Sequence, residues 1–119
     1  MRISKGISDE CFVCGDLGVL IKIADIIDVI NGTDVELEAF SCPIEELLQM
    51  KRADRLDRPT LEKMSKRRRD EPIVIAKLGG NYWIIDGNHR LERRRNDGFE
   101  DALVIEAPAE LLEQCIAPL

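Results

Sequence analysis

Asp86-Gly87-Asn88-His89-Arg90 places a carboxylate, a glycine, an amide, the chain's one histidine and a guanidinium on five consecutive residues. Four large residues, Tyr82-Trp-Ile-Ile85, run into this segment, and Leu91 to Asn96 follow it with a helix-compatible pattern closed by Gly98. The pattern predicts a buried strand, a tight glycine turn and a short helix. Backbone N–H groups, an imidazole and an arginine would then share one helix N-terminus. The first N–H groups of a helix lack intrahelical acceptors and carry the positive end of the macrodipole, so they suit a phosphate or another anion. Asp86 is either a helix cap or a contact to a ligand or metal.

Those residues need a scaffold, and the surrounding sequence supplies one. Pro72-Ile-Val-Ile-Ala-Lys77 reads as a buried strand, Gly79-Gly80-Asn81 as a turn, and Tyr82–Asp86 as the strand pairing back. Val35 to Ser41 alternates and reads as another strand. Pro43 to Gln49 reads as a helix with proline in its first turn and Glu45 and Glu46 at its positive end. Asp57 to Arg68 reads as a further helix with Leu61 and Met64 inward. Ala102–Glu106 is a strand, and Pro108 to Cys115 holds a last short helix. Residues 1–16 look irregular. For 17–30 two readings are open: a helix on the 3–4 spacing of Leu17, Leu20, Ile21, Ala24, Ile27 and Ile30, or a hairpin turning at Asn31-Gly32. Mixed elements around one hairpin favour the α+β class. Residues 1–34 are taken as an N-terminal extension and 35–119 as the domain. The expected core is Leu37, Phe40, Ile44, Leu47, Leu61, Ile73, Ile75, Trp83, Ile85, Leu91 and Val104.

Composition narrows the function classes. Apolar residues at 45% and charged residues at 34% of 119 fit one globular domain. No uninterrupted apolar run is long enough for a membrane span, and no signal peptide pattern opens the chain, so a cytoplasmic protein is expected. Residues 51–95 hold 14 Lys/Arg against 7 Asp/Glu, whereas the two flanks together hold 3 against 16. A basic centre between acidic flanks suggests an anionic ligand; neutralisation within the monomer is the competing reading. Arg67-Arg68-Arg69 and Arg93-Arg94-Arg95 are the candidate surfaces for nucleic acid or a protein partner. Cys11-Phe-Val-Cys14 raises a zinc site, but no second Cys-x-x-Cys accompanies it, and reduced structural thiols are the simpler reading.

The order strand, helix, hairpin ending in Asp-Gly-x-His-Arg, helix, strand resembles the ParB/sulfiredoxin superfamily. The resemblance runs from about Val35 to Ala107. Its specific part is Pro72-Ile-Val-Ile, Tyr82-Trp-Ile-Ile-Asp-Gly-Asn-His-Arg-Leu91, Gly98 and Val104. It implies an α+β fold with a mixed sheet, whose central hairpin leads into a Gly-x-His-Arg helix N-terminus. It also implies a nucleoside triphosphate, ATP or CTP with Mg²⁺, bound at the glycine turn. On that resemblance Gly87 lets the backbone approach phosphate, and Asn88, His89 and Arg90 surround it. Arg58, Thr60, Lys63 and Ser65 on the preceding helix would reach the phosphates, and Glu45, Glu46 or Asp86 are the candidate catalytic carboxylates.

The departures from the family pattern carry information. Sulfiredoxins hold a reactive cysteine where this chain has Asn88, and an amide cannot attack as a thiolate does, so no sulfinic-acid reductase is expected. Partitioning proteins have a Gly-Glu-Arg-Arg-like box there. Many members have a small alanine where this chain has Arg93. The leading functional expectation is a nucleotide-binding, DNA-associated domain of the plasmid or phage type, with NTP hydrolysis or phosphoryl transfer as its chemistry. The alternative is a non-catalytic DNA- or protein-binding module, homodimer included, that keeps the fold. A nuclease is a weaker alternative, since only Asp86 and Glu92 offer carboxylates around the motif.

Overall fold

The computed structural model describes residues 3–4, 10–51 and 56–119. Ile73–Leu78 (β4) and Asn81–Asp86 (β5) form the central hairpin, turned by Gly79 and Gly80, both at positive φ. Asp101–Glu106 (β6) pairs parallel to β4, and Phe40–Pro43 (β3) pairs antiparallel to β6. The resulting sheet has the order β3-β6-β4-β5 and is mixed. A second sheet, order β1-β2-β7, joins Cys11–Cys14 (β1), Val19–Lys22 (β2) and Ile116–Pro118 (β7) in antiparallel fashion. The helices are Ile23–Gly32 (α1), Ile44–Met50 (α2), Arg58–Lys63 (α3), Lys66–Arg69 (α4), Asn88–Asn96 (α5) and Ala109–Leu112 (α6). The protein is therefore α+β.

Strand alternation distributes the core over both faces of the central sheet. Ile73, Ile75, Ile84 and Val104 point to one face, where Leu47 of α2 and Leu91 of α5 meet them. Val74, Ala76, Ile85 and Ile105 point to the other and pack with α1, α6 and the small sheet. Burying side chains of this size stabilises by about 1.5–3 kcal/mol each. The alternation places Trp83 with Ile85 on one face and Ile84 on the other, as expected. Between the pairs Val74–Asp86 and Ile75–Ile84, β5 carries one extra residue, Ile85. This bulge lies just before the glycine turn and redirects the chain as Asp86 leaves the sheet.

Several local expectations are corrected. The alternation of Val35 to Ser41 does not become a strand until Phe40, because β6 is the partner only of Phe40 to Pro43. Phe40 lies on this edge strand and is 45% exposed rather than in the core. Leu37, Leu61 and Trp83 are half-buried. Residues 17–30 are neither one helix nor a hairpin: Val19–Lys22 pairs with β1 and β7, and α1 starts only at Ile23. Asn31-Gly32 ends α1, with no left-handed residue at either position. Cys11–Cys14, taken as irregular, is a strand. The helix expected from Asp57 to Arg68 is two short ones, separated by Met64 and Ser65 in extended conformation. The last helix stops at Leu112 and the chain closes with β7.

Candidate functional site

Gly87 sits at φ +118, ψ 13, a conformation that L side chains rarely adopt. Space imposes the same choice. A Cβ at this position would lie 3.0 Å from Ile73 Cγ1 and 3.2 Å from an Arg90 Nη. The turn delivers the chain directly into α5, whose first intrahelical bond runs from Leu91 N–H to the Gly87 carbonyl at 2.8 Å. The N–H groups of Asn88, His89 and Arg90 therefore have no acceptor within their own helix.

A pocket of about 490 Å³ opens at this N-terminus. Asp86, Gly87, Asn88, His89 and Arg90 form one wall, and Asp57, Pro59, Thr60, Lys63 and Met64 form the facing one. Glu10 and Arg68 complete the lining. The volume is in the range that encloses one small ligand. The structure thus brings together the expected Gly87, Asn88, His89, Arg90, Thr60, Lys63 and Asp86. It does not bring in Arg58, whose side chain is 88% exposed and pairs with Glu62 along its own helix. Ser65 instead caps α4 by accepting from Arg68 N–H. Glu45 and Glu46 lie at the start of α2, outside the pocket, where Glu46 faces the Cys42 thiol. Burial, and then that carboxylate, push the Cys42 thiol up.

Arg90 contributes to this wall while almost wholly buried. It is 1% exposed, and one Nη donates to the Pro72 carbonyl at 2.9 Å and to Asp86 Oδ2 at 3.1 Å. Its Nε is buried without a hydrogen-bond partner. Burial pushes its pKa below the usual value, and the adjacent Asp86 carboxylate opposes that shift. The pair fixes the end of β5 to the third residue after the glycine. His89 is half-buried, and its Nε2 accepts the Asp57 backbone N–H at 2.9 Å. That bond requires an unprotonated Nε2 and leaves Nδ1 as the protonated nitrogen of the neutral ring.

Asp57 was not among the expected site residues. It caps α3 by accepting from the Thr60 N–H and hydroxyl, which hold its carboxyl below the usual carboxylate range. The signal was present in the sequence. Asp57-Arg-Pro-Thr60 is an N-cap residue followed by proline in the first turn. Glu10 had no comparable signal, since its place in the pocket depends on the β1–β2 pairing.

The two arginine runs are largely consumed by internal contacts. Arg68 pairs with Glu71 at 2.6 Å and donates to the Ser4 carbonyl. Arg69 pairs with Asp70 and Asp97, Arg93 with Asp97, and Arg94 with Asp70, all at 2.8–3.0 Å. Arg69 and Arg94 also cover the Phe99 ring at 4.7 and 4.1 Å. Hydrogen bonds from Arg69 first hold both Asp70 and Asp97 below the usual carboxylate range. Arg67 and Arg95 remain exposed. Four of the six arginines in the two runs are thus paired internally at hydrogen-bonding distance, and Arg69, Arg93 and Arg94 join α4, α5 and the turn after α5.

Cys11 and Cys14 lie three residues apart on one strand, so they point to opposite faces; Cys11 is exposed and Cys14 buried. They cannot ligate one zinc ion while β1 is formed. Among the described residues no group of three or more His, Cys, Asp or Glu is arranged as a metal cage. No helix of the described residues is long and apolar enough to cross a membrane. Comparison with protein-family models, curated proteins and solved structures gives no match.

Proposed function

We propose that the pocket at the Gly87 turn binds the phosphates of a nucleoside triphosphate, ATP or CTP, as its Mg²⁺ complex. The observation that carries this reading is the left-handed Gly87 opening α5 onto a pocket whose facing wall presents Thr60 and Lys63. A phosphate there would accept from the first N–H groups of α5 and gain from the helix dipole. Lys63 adds a mobile ammonium, and His89 a ring N–H.

The charge balance of the lining supports the metal complex over the free anion. Lys63, Arg68 and Arg90 face Glu10, Asp57 and Asp86 around the same pocket. Arg68 and Arg90 already pair with Glu71 and Asp86, which leaves Lys63 as the main cation facing the bound group. A triphosphate alone would meet repulsion from Asp57 and Glu10. Mg²⁺ is usually carried on the phosphates with one or two protein carboxylates and several waters, a demand these two residues fit without a cage. Bound there, the ion would neutralise phosphate charge.

This reading agrees with the strand, glycine turn and helix order that resembles the ParB/sulfiredoxin superfamily, and phosphoryl transfer or hydrolysis is the chemistry it would serve. The DNA- or protein-binding alternative rested on the arginine runs, and their internal ion pairs remove most of that support. A ligand that binds only the folded state raises its stability. Thermal shifts with ATP, CTP and GTP, each with and without Mg²⁺, test the proposal. A saturable rise with at least one nucleotide that requires Mg²⁺, reduced in Lys63→Ala, is expected. No shift with any of them at millimolar concentration rules it out.

A further inference from the structure

Helix α3 forms half of the proposed site yet has little to hold it. It is six residues long, far below the length at which an isolated helix is stable, and none of its residues is buried. Its attachment is polar and comes from α5. His89 accepts the Asp57 N–H at the start of α3, at 2.9 Å. Arg93, one turn further along the same face of α5, donates through one Nη to the Leu61 carbonyl at 2.8 Å and the Met64 carbonyl at 3.0 Å. These carbonyls close the C-terminal end of α3, where a cation is favoured by the helix dipole. Arg93 is itself fixed, since its Nε donates to Asp97 Oδ2 at 2.9 Å.

We infer that Arg93 is a positioning residue for the pocket: anchored by Asp97, it holds α3 against α5 so that Thr60 and Lys63 face the phosphate subsite. This inference rests on the nucleotide-binding reading for its functional consequence, but not for the clamp itself. Thr60 and Lys63 lie one turn apart on α3 and both line the pocket. Loss of the Arg93 bonds would leave His89 as the remaining polar tie described between the two helices. The wall would then sample other positions, and the ligand would have to order it on binding. Lysine is a poor substitute, because an ammonium on a flexible stem cannot hold a carboxylate and two carbonyls in the fixed geometry of a guanidinium.

The test uses the full chain and four variants: Arg93→Ala, Arg93→Lys, Asp97→Asn, which keeps Arg93 but weakens its anchor, and Arg95→Ala as a control, whose guanidinium is 3.8 Å from Glu92 and outside the clamp. Hydrogen exchange of the amides of Leu61 to Met64 is measured without ligand, and Mg²⁺–ATP and Mg²⁺–CTP affinity by calorimetry. Faster exchange in α3 with β4 and β5 unchanged is expected for Arg93→Ala. Its affinity should fall by about ten-fold or more, the scale of losing charged hydrogen bonds. Arg93→Lys should recover only a minor part, Asp97→Asn should be intermediate, and Arg95→Ala should match the wild type. Unchanged α3 exchange in Arg93→Ala overturns the clamp. Faster exchange with unchanged affinity overturns the positioning role. If the wild type binds no nucleotide, the pocket reading fails by itself and the exchange measurement alone judges the clamp. If Arg93→Ala does not fold, Asp97→Asn decides the same questions.

Discussion

Arg90→Met should be the most informative single change for stability. The guanidinium is 1% exposed and makes two described polar contacts, the Asp86 carboxylate at 3.1 Å and the Pro72 carbonyl at 2.9 Å. Methionine keeps most of the aliphatic stem but leaves Asp86, 8% exposed, as an uncompensated buried charge. Removing one partner of a buried pair costs about 3–5 kcal/mol. The orphaned Pro72 carbonyl is contained in that figure, at about 1–3 kcal/mol if taken alone. Domains of this size are stable by about 5–15 kcal/mol, so the loss is a large fraction of the whole. With a urea slope of about 2 kcal/mol/M, the midpoint should fall by roughly 1.5–2.5 M. The double variant Asp86→Asn with Arg90→Met removes the stranded charge. It should be less destabilised than the sum of the two single variants by about 2 kcal/mol or more. Urea unfolding of the four proteins, followed by circular dichroism, gives the cycle. Additivity within about 0.5 kcal/mol, or a cost for Arg90→Met below about 1 kcal/mol, would show that the pair does not hold the turn.

Gly87→Ala should destabilise by about 1–3 kcal/mol, since it combines a φ of +118 with a Cβ contact at 3.0 Å to Ile73; an unchanged melting temperature contradicts the described turn. Asp70 and Asp97 are held below the usual carboxylate range, so their ion pairs stabilise fully above that range and the contribution is lost as pH falls through their lowered values. Wild-type urea midpoints should therefore drop steeply below about pH 4, and Asp97→Asn should drop less; equal slopes refute the assignment. Short duplex DNA should bind weakly and with a shallow dependence on salt, because Arg68, Arg69, Arg93 and Arg94 are already paired with acids. Tight binding that weakens steeply with salt would show that those pairs open to phosphate.

The hairpin, the glycine turn and α5 were legible because their signals are local. Continuous apolar runs bounded by Pro72, Gly79-Gly80 and Gly87 identify β4 and β5, and Gly87 alone announces the turn. The bulge at Ile85 was not legible, since it exists only in the register between two strands. The small sheet was hidden for a related reason. Cys11–Cys14 and Val19–Lys22 are four residues each, and their third strand lies at Ile116–Pro118, nearly 100 residues away. The composition of the arginine runs was visible, but not their neutralisation, which joins Arg69 to Asp97 and Arg94 to Asp70 across more than 20 residues. The same applies to Arg93, whose partners, the carbonyls of Leu61 and Met64, lie about 30 residues away in the chain. Arg90 follows the glycine turn in α5 as its spacing implies, but its near-complete burial was not legible. Sequence spacing sets which helix position follows the glycine, whereas the burial of Arg90 depends on contacts such as the Pro72 carbonyl, 18 residues away.

The central claim is tested most directly by calorimetric titration of Mg²⁺–ATP and Mg²⁺–CTP into the wild type and into Lys63→Ala, a substitution of an exposed side chain that leaves the core untouched. One nucleotide should bind with one-to-one saturation to the wild type and at least several-fold more weakly to the variant, with both proteins equally folded. Absence of saturable heat in the wild type, or identical affinity in Lys63→Ala, would contradict a phosphate subsite between α3 and the Gly87 turn.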